Sequence, residues 1–277
     1  MTLRRKLAIA TWDAPREGNI YGKLVLDARP ALEYIERRRA ETGIKLTLTH
    51  IATRALSLAL RDASGLNGYI SRGRFLKHET VDLSVIVAIN GGENLSAVKL
   101  ERADEMSISE IAETLNKRVT RVRVGDDESF KQNMMVAKRT PWFLLKPLLK
   151  FVGWLSTTLG WSIPAFGVRA FPFGAAILTN VGVFGVDEAY VPPTPFAGVP
   201  LYLLLGVTRD APYVDEGEVK VRQEITLTAT MDHRFVDGAQ AAQLARCLRE
   251  VFADPDRFDE RFDERAEAGE RAEAMTS

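Results

Sequence analysis

Met231-Asp232-His233-Arg234-Phe235-Val236-Asp237-Gly238-Ala239 is the stretch on which the fold turns, because it joins two hydrophobic periods and sets a titratable side chain between them. Before it, residues 224 to 231 alternate: Ile225, Leu227, Ala229 and Met231 share one face and threonines mostly the other, which predicts a half-buried strand. After it, Ala242, Leu244, Ala245, Leu248, Val251 and Phe252 recur at helical spacing until Asp254-Pro255 stops the run. His233 therefore sits where a strand ends, with Asp237 and Gly238 at the turn into a helix. An imidazole accepts and returns a proton near neutral pH, which suits deprotonation of a thiol or hydroxyl. Asp237 orients that ring, pairs with an arginine, or simply caps the next helix. Gly238 allows a backbone conformation or a close approach that a Cβ forbids.

Asp232 to Ala239 resembles the signature of the acyltransferase (E2) catalytic domain of 2-oxoacid dehydrogenase complexes, within the chloramphenicol acetyltransferase-like superfamily. The resemblance continues in Thr179-Asn180-Val181-Gly182-Val183-Phe184-Gly185, in Pro192-Pro193 and in Leu203-Leu204-Leu205-Gly206-Val207. It covers roughly residues 4 to 258, with a divergent middle, and is strongest after Gly174. It implies an α/β two-layer sandwich, a mixed β-sheet flanked by helices. It also implies a homotrimer or an assembly of trimers, with active sites between subunits, the histidine coming from one chain and the hydroxyl from its neighbour. The implied reaction moves an acyl group between coenzyme A and a dihydrolipoyl thiol or another thiol or hydroxyl. His233 would be the base, and Thr179, where most members have serine, the donor to the oxyanion. Asn180 would hold the turn, and Asp237, with an N-terminal arginine such as Arg5 or Arg16, would secure the site. Complete E2 chains carry lipoyl and peripheral-subunit-binding domains, of which this sequence shows none. The expected form is thus a stand-alone catalytic domain, with any lipoyl group supplied by a separate partner protein of a 2-oxoacid dehydrogenase complex. A free-standing small-molecule acyltransferase and a non-catalytic trimeric scaffold stay open as alternatives.

Composition sets the outer bounds. The 277 residues are 46% hydrophobic and 27% charged, with a formal charge of zero, so no field for a nucleic acid is implied. The single cysteine, Cys247, excludes a disulfide framework, fits a cytoplasmic setting and reads as packing on the last helix. No metal site is expected. Residues 1–256 read as the catalytic domain and 257–277 as a charged, disordered tail.

Within the domain, residues 21–27 read as a strand, followed by a helix to about Thr42 whose Arg37, Arg38 and Arg39 form a solvated face. Residues 50–60 read as a second helix capped by threonines, with His50 a core or capping residue. Residues 69–76 form a hairpin about Arg72-Gly73, His78 is exposed, and 81–89 is a buried strand. Ser107 and Glu110 have capping-box spacing before another helix. Residues 124–140 read as charged and exposed. Pro141 to Pro164 is strongly apolar, but Lys146, Pro147 and Lys150 interrupt it, so no transmembrane span is expected. Two readings of this segment stay open: a pair of helices buried against the core or a neighbouring subunit, or an amphipathic patch meeting a membrane, an acyl chain or a partner protein. Residues 173–182 and 201–207 complete the strands, with a turn at 214–217.

Overall fold

The computed structural model describes residues 18–63, 65–89, 94–124, 140–162 and 169–260. Arg5, Arg16, most of the 124–140 stretch and the tail beyond Glu260 lie outside them. Among the described residues a six-stranded mixed sheet organises the chain. It is built from β1 (Asn19–Asp27), β4 (Leu83–Ile89), β5 (Asn94–Leu100), β6 (Ala176–Asn180), β7 (Leu201–Asp215) and β8 (Glu218–Asp232), in spatial order β1-β8-β7-β6-β4-β5. The β4, β6 and β7 strands run parallel, and the other pairings are antiparallel. A separate hairpin of β2 (Gly68–Ser71) and β3 (Arg74–Lys77) turns at Arg72-Gly73, where both residues take positive φ.

Helices α1 (Arg29–Thr42), α2 (Leu48–Asp62), α3 (Ile108–Val124) and α5 (Gly238–Ala253) contribute to the main core with one face of the sheet. The central helix α2 is buried from His50 to Leu60. Its start is a capping box in which Thr47 and His50 satisfy each other's backbone N–H groups, so His50 is the capping histidine of the sequence reading. Burial of that ring holds its pKa down at about 4. Ser107 and Glu110 close the corresponding box before α3. The Cys247 thiol donates to the Ala55 carbonyl at 3.3 Å, and burial pushes its pKa up to about 12, as befits packing.

Three expectations need correction. The threonine face of β8 is buried, not solvated, because residues 186–199 fold over it. The Thr228 hydroxyl donates to the Ala189 carbonyl, the Thr194 N–H donates to the Tyr202 hydroxyl, and Ile177, Ala197, Val199 and Tyr202 form a second core there. His78 is half-buried, its ring set between Tyr69 and Phe171 at centroid distances of 5.1 and 4.5 Å, a contact between elements that no local pattern encodes. Of the apolar segment, whose two readings both stay open, residues 142–158 form one helix, α4 (Trp142–Gly153), running into a π turn (Trp154–Thr158), and within one chain only one side of it is buried. The packed body also continues to Glu260: Phe258 is buried, and Arg54 donates to the carbonyls of Asp104, Phe258 and Glu260.

Candidate active site

The β8 strand delivers His233 to a tight turn that is braced on both sides. The Asp232 N–H donates to the Pro200 carbonyl, and the His233 N–H donates to the Gly18 carbonyl at 3.1 Å. Arg234 folds back on Asp232, giving its backbone N–H and two guanidinium nitrogens to the carboxylate at 2.6–3.0 Å. Val236 is buried beneath the turn, and the Phe235 ring meets Phe75 of the β2–β3 hairpin edge-on at 6.1 Å. The His233 side chain stands exposed on this support.

Asp237 is the N-cap of α5, while its pairing with Arg5 or Arg16 falls outside the described residues. Its carboxylate accepts from the Ala239 N–H at 2.7 Å and the Gln240 N–H at 3.4 Å, while Gln240 returns a bond to the Asp237 N–H. A Cβ added at Gly238 would meet nothing within 4 Å, and its φ is not positive. Within one chain, neither crowding nor backbone conformation therefore demands glycine at that position.

Thr179 lies near the end of β6, between Ile86 of β4 and Leu204 of β7. Asn180 faces the helices, its amide donating to the Thr49 hydroxyl at 3.0 Å, so it ties β6 to the start of α2 as well as leading into the turn. The two family-like glycine segments meet here. A Cβ on Gly182 would lie 2.4 Å from the Gly206 carbonyl oxygen, and one on Gly206 would lie 1.9 Å from that of Asp187. Both glycines are required by close backbone crossings.

One chain does not bring His233 and Thr179 together. Thr179 is opposite Leu204, Leu204 is opposite Thr228, and the chain must run from Thr228 past the end of β8 to reach His233. At the ordinary rise and spacing of strands the two are roughly 15–20 Å apart, one past the end of β8 and the other inside the sheet on β6. Hydrogen-bond catalysis at one carbonyl needs both within about 3 Å of the reacting atoms.

The sequence reading assigned no role to Asp232 and Arg234. A usable signal exists, since Asp27-Ala28-Arg29 at the end of β1 makes the same bidentate, backbone-assisted clasp. Asp-x-Arg at a strand terminus is a local pattern that brackets the residue between its charges.

A family model for 2-oxoacid dehydrogenases acyltransferase (catalytic domain) matches residues 23–130 and 173–258. The dihydrolipoyllysine-residue acetyltransferase component of the acetoin cleaving system of Bacillus subtilis is 27% identical over 216 residues, which are 77% of this chain and 43% of that protein. The chain thus spans less than half the length of that relative. Among solved structures, a probable dihydrolipoamide acetyltransferase of Listeria monocytogenes superposes with a TM-score of 0.65, covering 92% of both chains at 16% identity. The cubic core of the pyruvate dehydrogenase multienzyme complex superposes with a TM-score of 0.64, covering 92% of this chain and 87% of that one at 15% identity. These two likenesses are of fold.

Proposed function

The chain belongs to the family of 2-oxoacid dehydrogenase acyltransferase catalytic domains, and from that premise we propose that it moves an acyl group between coenzyme A and a dihydrolipoyl thiol, or an equivalent thiol or hydroxyl, at a site shared by two copies of the chain in a homotrimer. The observation that carries this reading is the separation of His233, past the end of β8, from Thr179, inside the sheet on β6. Two side chains suited to a single acyl transfer are useless to each other within a protomer, and a neighbouring copy brings the second one in. Gly238, with open space where a Cβ would point, leaves room beside the histidine for that neighbour or for substrate.

In the forward direction the exposed imidazole of His233 takes the proton of the acceptor thiol. The thiolate attacks the acyl carbonyl of acyl-coenzyme A, and the neighbour's Thr179 hydroxyl donates to the oxyanion of the tetrahedral intermediate. Collapse expels the coenzyme A thiolate, which takes the proton back from the imidazolium. Asp237 acts on this chemistry through the helix cap that fixes the turn, and Asn180 through its hold on the end of β6. The acceptor is carried on a lipoyl-bearing domain, and dehydrogenase components are the partners this reading implies.

The test is acyl transfer from acetyl-coenzyme A and from a longer acyl-coenzyme A to dihydrolipoamide, comparing wild type with His233→Ala. The variant is expected to lose about 10²- to 10⁴-fold in kcat while still binding coenzyme A and keeping its oligomeric mass. A variant as active as wild type would remove His233 from the reaction. Wild type that binds coenzyme A but leaves dihydrolipoamide untouched would exclude that acceptor.

A further inference from the structure

The α4 helix lies in the part of the chain that the family model leaves unmatched, between residues 130 and 173. A helix on a water-soluble body ordinarily buries its apolar stripe and turns polar residues outward. Here the outward stripe is itself apolar. Phe143, Leu144, Leu148, Phe151 and Trp154 are 39–60% exposed, and Trp161 just beyond the π turn is 58% exposed. The recurrence of 143/147/151/154 and 144/148/151 puts the first five on one helical face, while Leu145 and Leu155 are buried. Lys146 and Lys150 fall on one flank of the exposed stripe. Between Glu128 and Asp187 the sequence has no acidic residue, yet it carries Lys131, Lys138, Arg139, Lys146, Lys150 and Arg169.

Phenylalanine, leucine and tryptophan on one side with lysines at the border match the two faces of a bilayer interface: the aromatic rings sit at headgroup level and the cations meet anionic lipid. No helix among the described residues is long and apolar enough to cross a membrane. At 12 residues α4 is about 18 Å long, suited to lying along a surface. We infer that α4 and the turn after it seat this protein on the surface of an anionic lipid bilayer. The charge pattern selects this occupant over a second copy of the chain. An apolar surface of the chain with acidic residues at hand, the tip of the β7–β8 hairpin with Val214, Val219 and Val221 exposed, mixes both signs, as in its Lys220–Asp215 pair. A segment of one sign is better matched by a uniformly negative surface. The inference stands apart from the acyl-transfer reading and survives its failure.

Flotation of the full chain with vesicles of phosphatidylglycerol and phosphatidylcholine, against vesicles of phosphatidylcholine alone, tests it. The chain is expected to rise with the anionic vesicles and to release as salt is added. Lys146→Gln with Lys150→Gln should weaken the partition on the order of tenfold or more. Phe151→Glu with Trp154→Glu should abolish it while circular dichroism and oligomeric mass stay those of wild type. Absence of flotation with either vesicle, or unchanged flotation of the Phe151/Trp154 variant, would overturn the inference. Loss of oligomeric mass in that variant, without lipid binding by wild type, would instead assign the face to contact between copies.

Discussion

The turn that holds His233 and the strand end that holds Thr179 are stabilised differently. Around His233 the side-chain hydrogen bonds come from within eight residues, Arg234 on Asp232 and Asp237 on Ala239 and Gln240, while the Gly18 and Pro200 carbonyls and the Phe75 ring support the turn from outside. Around Thr179 nearly every brace comes from elsewhere in the chain: β4 and β7 on either side, Thr49 bonded to Asn180, and the Gly206 carbonyl packed against Gly182. A locally built turn projects an exposed side chain and tolerates the loss of one brace. A strand end inside a sheet holds its hydroxyl with less play and fails as a unit.

Mixing two inactive variants presses hardest on the idea that these regions form one site only across copies. His233→Ala and Thr179→Ala should each lose about 10²-fold or more in kcat. Co-refolded in equal amounts, they should regain activity at about one site in four, because each intact site takes its histidine from one chain and its hydroxyl from another. No recovery in verified mixed oligomers would return both residues to a single chain. Next in size is Gly206→Ala, whose added carbon would collide with the Asp187 carbonyl. It should cost about 3 kcal/mol or more by urea denaturation, and Thr179-dependent activity should fall with it.

The start of α2, which anchors Asn180, carries a pH dependence. Above 6.5 His50 is neutral both folded and unfolded, and the stability is complete. As pH falls, the unfolded chain takes up a proton that the folded one refuses until about 4, so stability drops through that window by about 3 kcal/mol in all. His50→Gln should flatten the slope of the urea midpoint against pH, and an unchanged slope would place the acid sensitivity elsewhere. Asp237→Ala, the smallest effect, removes only a cap and should cost about 1 kcal/mol, with Asp237→Asn close to wild type. A loss from Asp237→Ala as large as that from Gly206→Ala would break the contrast between the two regions.

The same contrast explains what could be read before the structure. The β8 strand, the His233 turn and α5 are written in consecutive residues, and so were both capping boxes and the Arg72-Gly73 hairpin. The burial of the threonine face was not legible, because its cover comes from residues 186–199, which have no period of their own. His78 looked exposed because its two ring neighbours come from β2 and from Phe171. In the candidate site the histidine was the easy half. Thr179 could be selected only by resemblance, since a strand threonine has no local mark of chemistry, and the distance between the two follows from a strand order that no spacing in the sequence encodes.

Arg54 gives the molecule a timetable. It sits buried in α2, yet its guanidinium is satisfied by carbonyls at Asp104, Phe258 and Glu260, and β1 finds its sheet partner in β8. During synthesis the first strand and the central helix emerge long before the segments that complete them. Two of the carbonyls that satisfy this charged group come from residues 258 and 260, so its burial is completed only when the last stretch of the packed body docks. Until then the nascent chain exposes an unpaired strand edge and an apolar helix, the state on which holding chaperones act.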